Sequence, residues 1–206
     1  MFKIKILAFL VVIVGVGWFL HQHHEKTVKQ AAQQTVVTAK ADATKAAATE
    51  LASHCLGNSS GQEIIVSISA QHLWACDGTT VAYNNPVITG MELYPADLTP
   101  LGTYSITGKL TDQTLAGSDN TGSWSDFVNY WMPFLYNQYG SYGFHDLTQA
   151  ANGANGRTDA EFGNVNINAP YTAAVHGSHG CVEMPLTAMQ WLYNWALVGT
   201  TVDIEA

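Results

Sequence analysis

The stretch that most constrains the fold is "EIIVSISAQHLWACDGTTVAYNNPVITG", residues 63–90, where apolar and polar residues alternate. Ile64, Val66 and Ile68 fall on one face and Ile65, Ser67 and Ser69 on the other, a period of two that only a strand satisfies. "CDG" at 76–78 reads as a hairpin turn into a second strand, Thr80 to Val87, ended by "TG". "TPLGTYSITGKL" gives another turn and strand. The aromatic-dense "WSDFVNYWMPFLYNQYGSYGFHD" reads as a strand pair lining a groove, or as core. "ANGANGRTDAEFGNVNINAP" is loop material by its Asn and Gly content. In "PLTAMQWLYNWALVG", Leu186, Met189, Leu192, Tyr193 and Ala196 recur at helical spacing, with Gly199 closing the helix, and "TTVDIEA" is a last strand. The expectation is a mostly β domain over 61–206 with one clear helix.

Two segments precede that domain. "MFKIKILAFLVVIVGVGWFLHQHHEK" carries two lysines and then an unbroken apolar run from Ile6 to Leu20. At helical rise the run spans about 22 Å, against a bilayer core of about 30 Å. Phe2 and Ile4 extend it if Lys3 and Lys5 snorkel to the headgroups. A cleaved signal peptide has the same layout, but the nearest small-x-small site, "AKA" at 39–41, lies far downstream. Residues 1–24 are therefore read as a membrane anchor, the alternative being a cleaved signal segment. The lysines ahead of the run place the N-terminus inside and the bulk of the chain outside. His21, His23 and His24 read as a solvated membrane-edge cluster rather than a metal site. Residues 25–60 read as a stalk, because 25–54 hold no Gly, Pro, Trp, Tyr or Phe and are rich in Ala, Thr, Gln and Lys.

Charge and cysteines narrow the chemistry. The chain carries a net −8, and from Gly61 onward only Lys109 and Arg157 oppose thirteen acidic residues, a net of −11. A field of that sign repels phosphate backbones, which excludes nucleic acid as a partner, and it favours amine-bearing substrates. Outside the cytoplasm three cysteines imply one pair and one thiol left over. A Cys55–Cys76 disulfide at the start of the domain leaves Cys181 free, a liability in an oxidising compartment unless the thiol is used.

Cys181 lies in "VHGSHGCVEMP". A cysteine nucleophile needs a base, a group that orients the base, and backbone donors for the oxyanion. Gly180 permits a tight turn in which N–H groups of residues 179 to 181 converge. The following helix is expected to set Cys181 near a positive dipole end and lower its pKa. His145, His176 and His179 compete for the role of base. Those three with Cys181 also have the ligand types of tetrahedral zinc, although His179 and Cys181 are close together for a loop chelate.

"GSHGCVEMP", preceded by "YGFHD", resembles the catalytic motif of the L,D-transpeptidase (YkuD) family. The opening alternation resembles that family's first hairpin, "TPLGTYSI" its Thr-Pro-x-Gly-Thr turn, and "MPLTAMQWLYNWALVGTTVDI" its closing helix and strand, so the likeness covers nearly all of 63–204. It implies a β-sandwich or barrel-like fold with one or two helices and no cofactor or metal. By position, Cys181 would be the acylated nucleophile, His145 the base, and the carbonyl of Asp146 its orienting group. Ser178, His179 and Gly180 would shape the oxyanion turn, while His176, Tyr142, Trp131 and Glu183 would contact substrate. The implied activity is exchange on peptidoglycan stem peptides. A thioester at the third residue releases D-Ala and is then resolved by an amine or, in a carboxypeptidase, by water. A cell-wall-binding relative of weak activity and secretion to the wall are the alternatives. The sequence departs from the family pattern at two points. His145 and Cys181 are 36 residues apart, with the Asn/Gly-rich 152–168 as the extra length and a candidate lid. Glu183 stands where the family generally has Asn or Arg, and a carboxylate beside a thiol raises its pKa.

Overall fold

The structure, a computed structural model, describes residues 33–34, 54–58, 61–119, 122–148 and 156–206. The chain divides into two units, Met1–Leu51 and Ala52–Ala206. Apart from the helical pair 33–34, the described residues belong to the second. The apolar run Ile6–Leu20 lies outside the described residues; among those described, no helix is long and apolar enough to cross a membrane.

The alternating stretch becomes three strands rather than two. β1 (Gln62–Ser67) and β2 (His72–Asp77) pair antiparallel, and β3 (Thr80–Pro86) follows the turn at Gly78. The turn between β1 and β2 has no Gly or Asn to announce it. Gln71 takes a left-handed φ of 49°, and its side chain bonds both the Ile68 carbonyl (2.7 Å) and Thr89 Oγ1 (2.6 Å), which offsets the strain. β1 is also buried on both faces. Ile64 and Val66 enter the core, while Ile65 pairs with Trp74 on the outer face. That outer face is covered by His54–Asn58, where His54 stacks on Trp74 (ring centroids 3.6 Å apart) and Cys55 is bonded to Cys76.

Two sheets share one core. The first has the order β3-β2-β1-β9-β4, with β4 at Gly102–Ser105 and β9 at Thr201–Glu205 parallel to β1. The second has the order β5-β6-β7-β8: β5 is Leu110–Asp119, β6 Gly122–Asn137, β7 Gly140–Asp146 and β8 Val182–Met184. The aromatic-dense segment is the β6–β7 pair. Helix α1 (Leu186–Trp195) rests on both of these strands and buries Ala188, Met189 and Leu192 in the same cluster as Phe144, Met184 and Val202. The helix ends at Trp195, and Lys109 Nζ donates to the Ala196 carbonyl at 2.8 Å, placing a cation at its negative end. Gly199 closes the turn after it, not the helix itself. β5 is exposed along most of its length and pairs only with β6, so it carries no alternation from which to read it.

Candidate functional site

The turn that carries Cys181 is held from below by the segment after β3. Ser178 N–H donates to the Thr89 carbonyl (2.8 Å) and Met91 N–H to the Ser178 carbonyl (3.0 Å). Thr99, the first residue of "TPLG", donates its hydroxyl to the Gly180 carbonyl at 2.8 Å and accepts the Gly90 N–H at 2.8 Å. Inside the turn, Ser178 Oγ donates to the Cys181 carbonyl (2.5 Å) and accepts the Gly180 N–H (3.0 Å). The Gly180 N–H is thus turned inward, which leaves Gly180 a shaping part and takes it out of the set of oxyanion donors. Gly180 has φ +107°, and an added Cβ would stand 2.5 Å from the Tyr142 ring. Tyr142 is buried under the turn, its hydroxyl donating to the Ala96 carbonyl at 3.0 Å, and it lines neither cavity described below.

Cys181 is not at a helix N-terminus. The three-residue strand β8 intervenes, and α1 begins five residues downstream. No dipole lowers the thiol pKa; burial instead pushes it up to about 12, the Gly143 N–H opposing this and the Glu183 charge adding to it. The sulfur makes a 3.8 Å contact with the Ser141 carbonyl on β7. It opens into a cavity of about 230 Å³ lined by Ser141, His145, Trp131 and Glu183, with Trp124 and Asp126 from the β5–β6 hairpin as a wall.

His145 is the histidine that shares this cavity with Cys181 from a second strand. It is 5% exposed, sits at the end of β7 opposite Trp131 of β6, and its ring is tilted against that indole. Its Nδ1 lies 3.1 Å from the Asp146 carbonyl oxygen. A carbonyl can only accept, so Nδ1 carries a proton, and in the neutral ring it is Nε2 that holds the lone pair. The Asp146 carboxylate is buried and spent on structure, accepting from the Tyr130 N–H (2.8 Å) and Asn129 Nδ2 (2.7 Å). His179 also reaches the cavity, but its ring is sandwiched between Trp124 and Tyr171, with centroids 4.3 and 4.4 Å away. His176 faces a neighbouring cavity of about 460 Å³, where its Nδ1 donates to the Gly177 carbonyl (2.7 Å) and burial lowers its pKa. The four candidate zinc ligands therefore do not converge, and among the described residues no cluster of His, Cys, Asp or Glu is arranged to hold a metal ion.

Glu183 is not the lone carboxylate the sequence suggested. It is 4% exposed, and Arg157 Nε donates to its Oε2 at 2.8 Å. Arg157, which sequence reasoning missed, comes from the Asn/Gly-rich stretch. Residues 149–155 fall outside the described ones, but 156–168 are tied down rather than hung over the cleft. Arg157 N–H donates to the Leu147 carbonyl, Gly163 N–H to Val87, and Glu92 N–H to the Ile167 carbonyl. One signal for Arg157 lies in the sequence: it is the only arginine in the chain, and Glu183 lies in an apolar run that buries it.

Residues 61–204 match the L,D-transpeptidase catalytic domain family (YkuD). No curated protein matches the chain. Among solved structures, the Ldtfm–avibactam carbamoyl enzyme is 28% identical with a TM-score of 0.51, over 70% of this chain and 49% of that one. A cysteine-to-serine mutant of the Enterococcus faecium L,D-transpeptidase is 24% identical with a TM-score of 0.50, over 70% and 49%. An L,D-transpeptidase from Mycobacterium smegmatis is 19% identical with a TM-score of 0.53, over 71% and 60%. The matched part thus spans about half the length of the first two relatives. The chain belongs to the L,D-transpeptidase catalytic domain (YkuD) family.

Proposed function

We propose that this chain is a cysteine-dependent L,D-transpeptidase acting on peptidoglycan stem peptides. The observation that carries this reading is the shared cavity: Cys181 on the turn and His145 on β7 line one cleft, the imidazole fixed through Nδ1 by the Asp146 carbonyl, which leaves Nε2 for proton transfer. Because the resting thiol holds its proton, Nε2 takes it as sulfur attacks the carbonyl of the third residue of a donor stem. The oxyanion is met by backbone N–H groups of the turn other than that of Gly180. Collapse expels D-Ala, whose nitrogen receives the proton from the imidazolium, and a thioester remains. An amine of a second stem then attacks, gives its proton to His145, and releases Cys181. A net charge of −11 across 61–206 supports an amine-bearing acceptor.

The Cys55–Cys76 disulfide supports work outside the cytoplasm, with the Ile6–Leu20 run as the membrane anchor. The test is intact-protein mass spectrometry with a tetrapeptide stem and with a carbapenem. Wild type should give an acyl adduct on Cys181 and a cross-linked product; Cys181→Ala should give neither while remaining folded. Turnover in Cys181→Ala comparable to wild type would refute the reading.

A further inference from the structure

Glu183 occupies an awkward place. In the parallel pairing of β7 and β8 it is the register partner of His145, so the two side chains leave the same face of the sheet. It also lines the Cys181 cavity. A buried carboxylate there opposes formation of a thiolate and attracts the proton that His145 must pass on. The groups that face it are Asp126 from β6, His145 from β7, Arg157 and Glu161 from the turn after residue 156, and His176, His179 and Cys181 from the segment before β8. Arg157 is the one permanent cation among them.

Arg157 is placed with more than one tether. It is 8% exposed, its Nε donates to Glu183 Oε2, its Nη2 donates to the Gly177 carbonyl at 3.2 Å, and Glu161 lies 3.8 Å from Nη1. Its own backbone is bridged to Leu147 and Thr148, just beyond His145. Arg157 therefore joins three parts of the site: its backbone holds the end of the His145 strand, and its guanidinium holds the Glu183 strand and the residue that enters the Cys181 turn. A guanidinium suits that task because it is always charged and offers separate donors to Glu183 and Gly177; an ammonium would keep the charge but not both contacts.

We propose that Arg157 is a positioning residue that cancels the charge of Glu183 and fixes it to the Gly177 carbonyl, so that the carboxylate beside His145 and Cys181 neither blocks thiolate formation nor captures the proton in transfer. The catalytic meaning of this arrangement rests on the function proposed above, but the electrostatic part does not. Burial opposes the charge on Arg157, yet Glu183, with Glu161 and Asp126 adding to it, more than offsets this and holds the guanidinium's pKa above its ordinary value.

The experiment reads the rate at which iodoacetamide alkylates Cys181 in the full chain, as a function of pH below the thiol midpoint, where rate follows the thiolate fraction. Arg157→Gln leaves the carboxylate uncompensated and slows alkylation by about tenfold at fixed pH, the effect of a rise of one pKa unit. Glu183→Gln leaves the guanidinium uncompensated and speeds it by about threefold or more. Arg157→Gln/Glu183→Gln removes both charges and returns the rate to within about threefold of wild type, and Arg157→Lys recovers most of the loss. The double variant leaves no buried charge unpaired at these two positions, so the comparison survives if Arg157→Gln alone fails to fold. A role confined to structure cannot produce opposite signs in the two single variants. Single variants that shift the rate in the same direction, or a double variant no faster than Arg157→Gln, overturn the proposal. If the signs are as stated but no stem-peptide product forms in wild type, the proposed function fails and the charge pair stands.

Discussion

Replacing Gly180 by Ala tests whether the Cys181 turn is held by contact as well as by backbone. Two costs arise from separate features. At φ +107° an L side chain is strained, a penalty of about 1–3 kcal/mol. The new Cβ would also stand 2.5 Å from Tyr142 Cε1 and 3.3 Å from the Leu98 carbonyl oxygen. Tyr142 cannot swing away, because it is buried and its hydroxyl is bonded to the Ala96 carbonyl. Overpacking of this kind adds about 1–3 kcal/mol, so the variant should lose about 2–6 kcal/mol in all. Gly199→Ala is the control: its φ is +95°, but nothing lies within 4 Å of the added Cβ, so only the backbone cost of about 1–2 kcal/mol applies. Urea unfolding compares the two stabilities. Acylation of Cys181 by a carbapenem reads the geometry, and a displacement near 1 Å should slow it by about a hundredfold in Gly180→Ala. Gly199→Ala should acylate as wild type does. If Gly180→Ala is as stable as Gly199→Ala and acylates within about threefold of wild type, the turn is not braced by Tyr142 and the argument fails.

The proton chemistry gives two further expectations. His145→Ala should slow acylation of Cys181 by about a hundredfold or more, while His176→Ala, which faces the other cavity, should cost about threefold or less; the reverse ordering at fixed pH would move the base to His176. With the thiol held up to about 12, alkylation of Cys181 should climb about tenfold per pH unit from pH 7 to beyond pH 10, and a plateau below pH 9 would show a preformed thiolate instead. Cys55→Ser/Cys76→Ser should lower stability by about 3 kcal/mol on the chain-entropy estimate, read by urea unfolding under non-reducing conditions. No change in that variant would mean that the His54–Asn58 segment is held by packing alone.

Much of the fold was legible because burial on one face leaves a period in the sequence. Ile64, Val66 and Ile68 announce β1, and Met189 and Leu192 announce α1. Where the period fails, the reading failed for a physical reason. The β1–β2 turn runs through Gln71, whose left-handed backbone is sustained by side-chain bonds to partners 3 and 18 residues away, and no local signal encodes those. β5 pairs in its sheet only with β6 and is exposed along most of its length, so it has no buried face to alternate. At the site, the Ser-His-Gly-Cys turn and the Asp146 carbonyl are local in sequence and could be read. The Arg157–Glu183 pair joins positions 26 residues apart across a stretch that composition marks only as loop. The expected dipole at Cys181 was wrong because a three-residue strand, too short to show a period, separates the cysteine from the helix.

A thiol raised to about 12 looks like a handicap in a nucleophile, but the arrangement explains how it can serve. At pH 7 the thiolate is accordingly much scarcer than the few per cent of an ordinary cysteine. Oxidation and disulfide exchange both begin from thiolate, so the resting Cys181 is shielded from the chemistry that the Cys55–Cys76 pair has undergone. Reactivity is then supplied only when substrate is in place, by Nε2 of an imidazole whose orientation the Asp146 carbonyl has already fixed. A sulfur of high pKa is also the stronger nucleophile once it has lost its proton. Its weakness is as a leaving group when the acceptor amine resolves the thioester, and there the same imidazole, now protonated by that amine, can return the proton to sulfur. The high pKa and the rigid histidine are thus two halves of one solution. Loosening the histidine should cost both acylation and deacylation, whereas lowering the thiol pKa alone would speed alkylation while exposing the sulfur to oxidation.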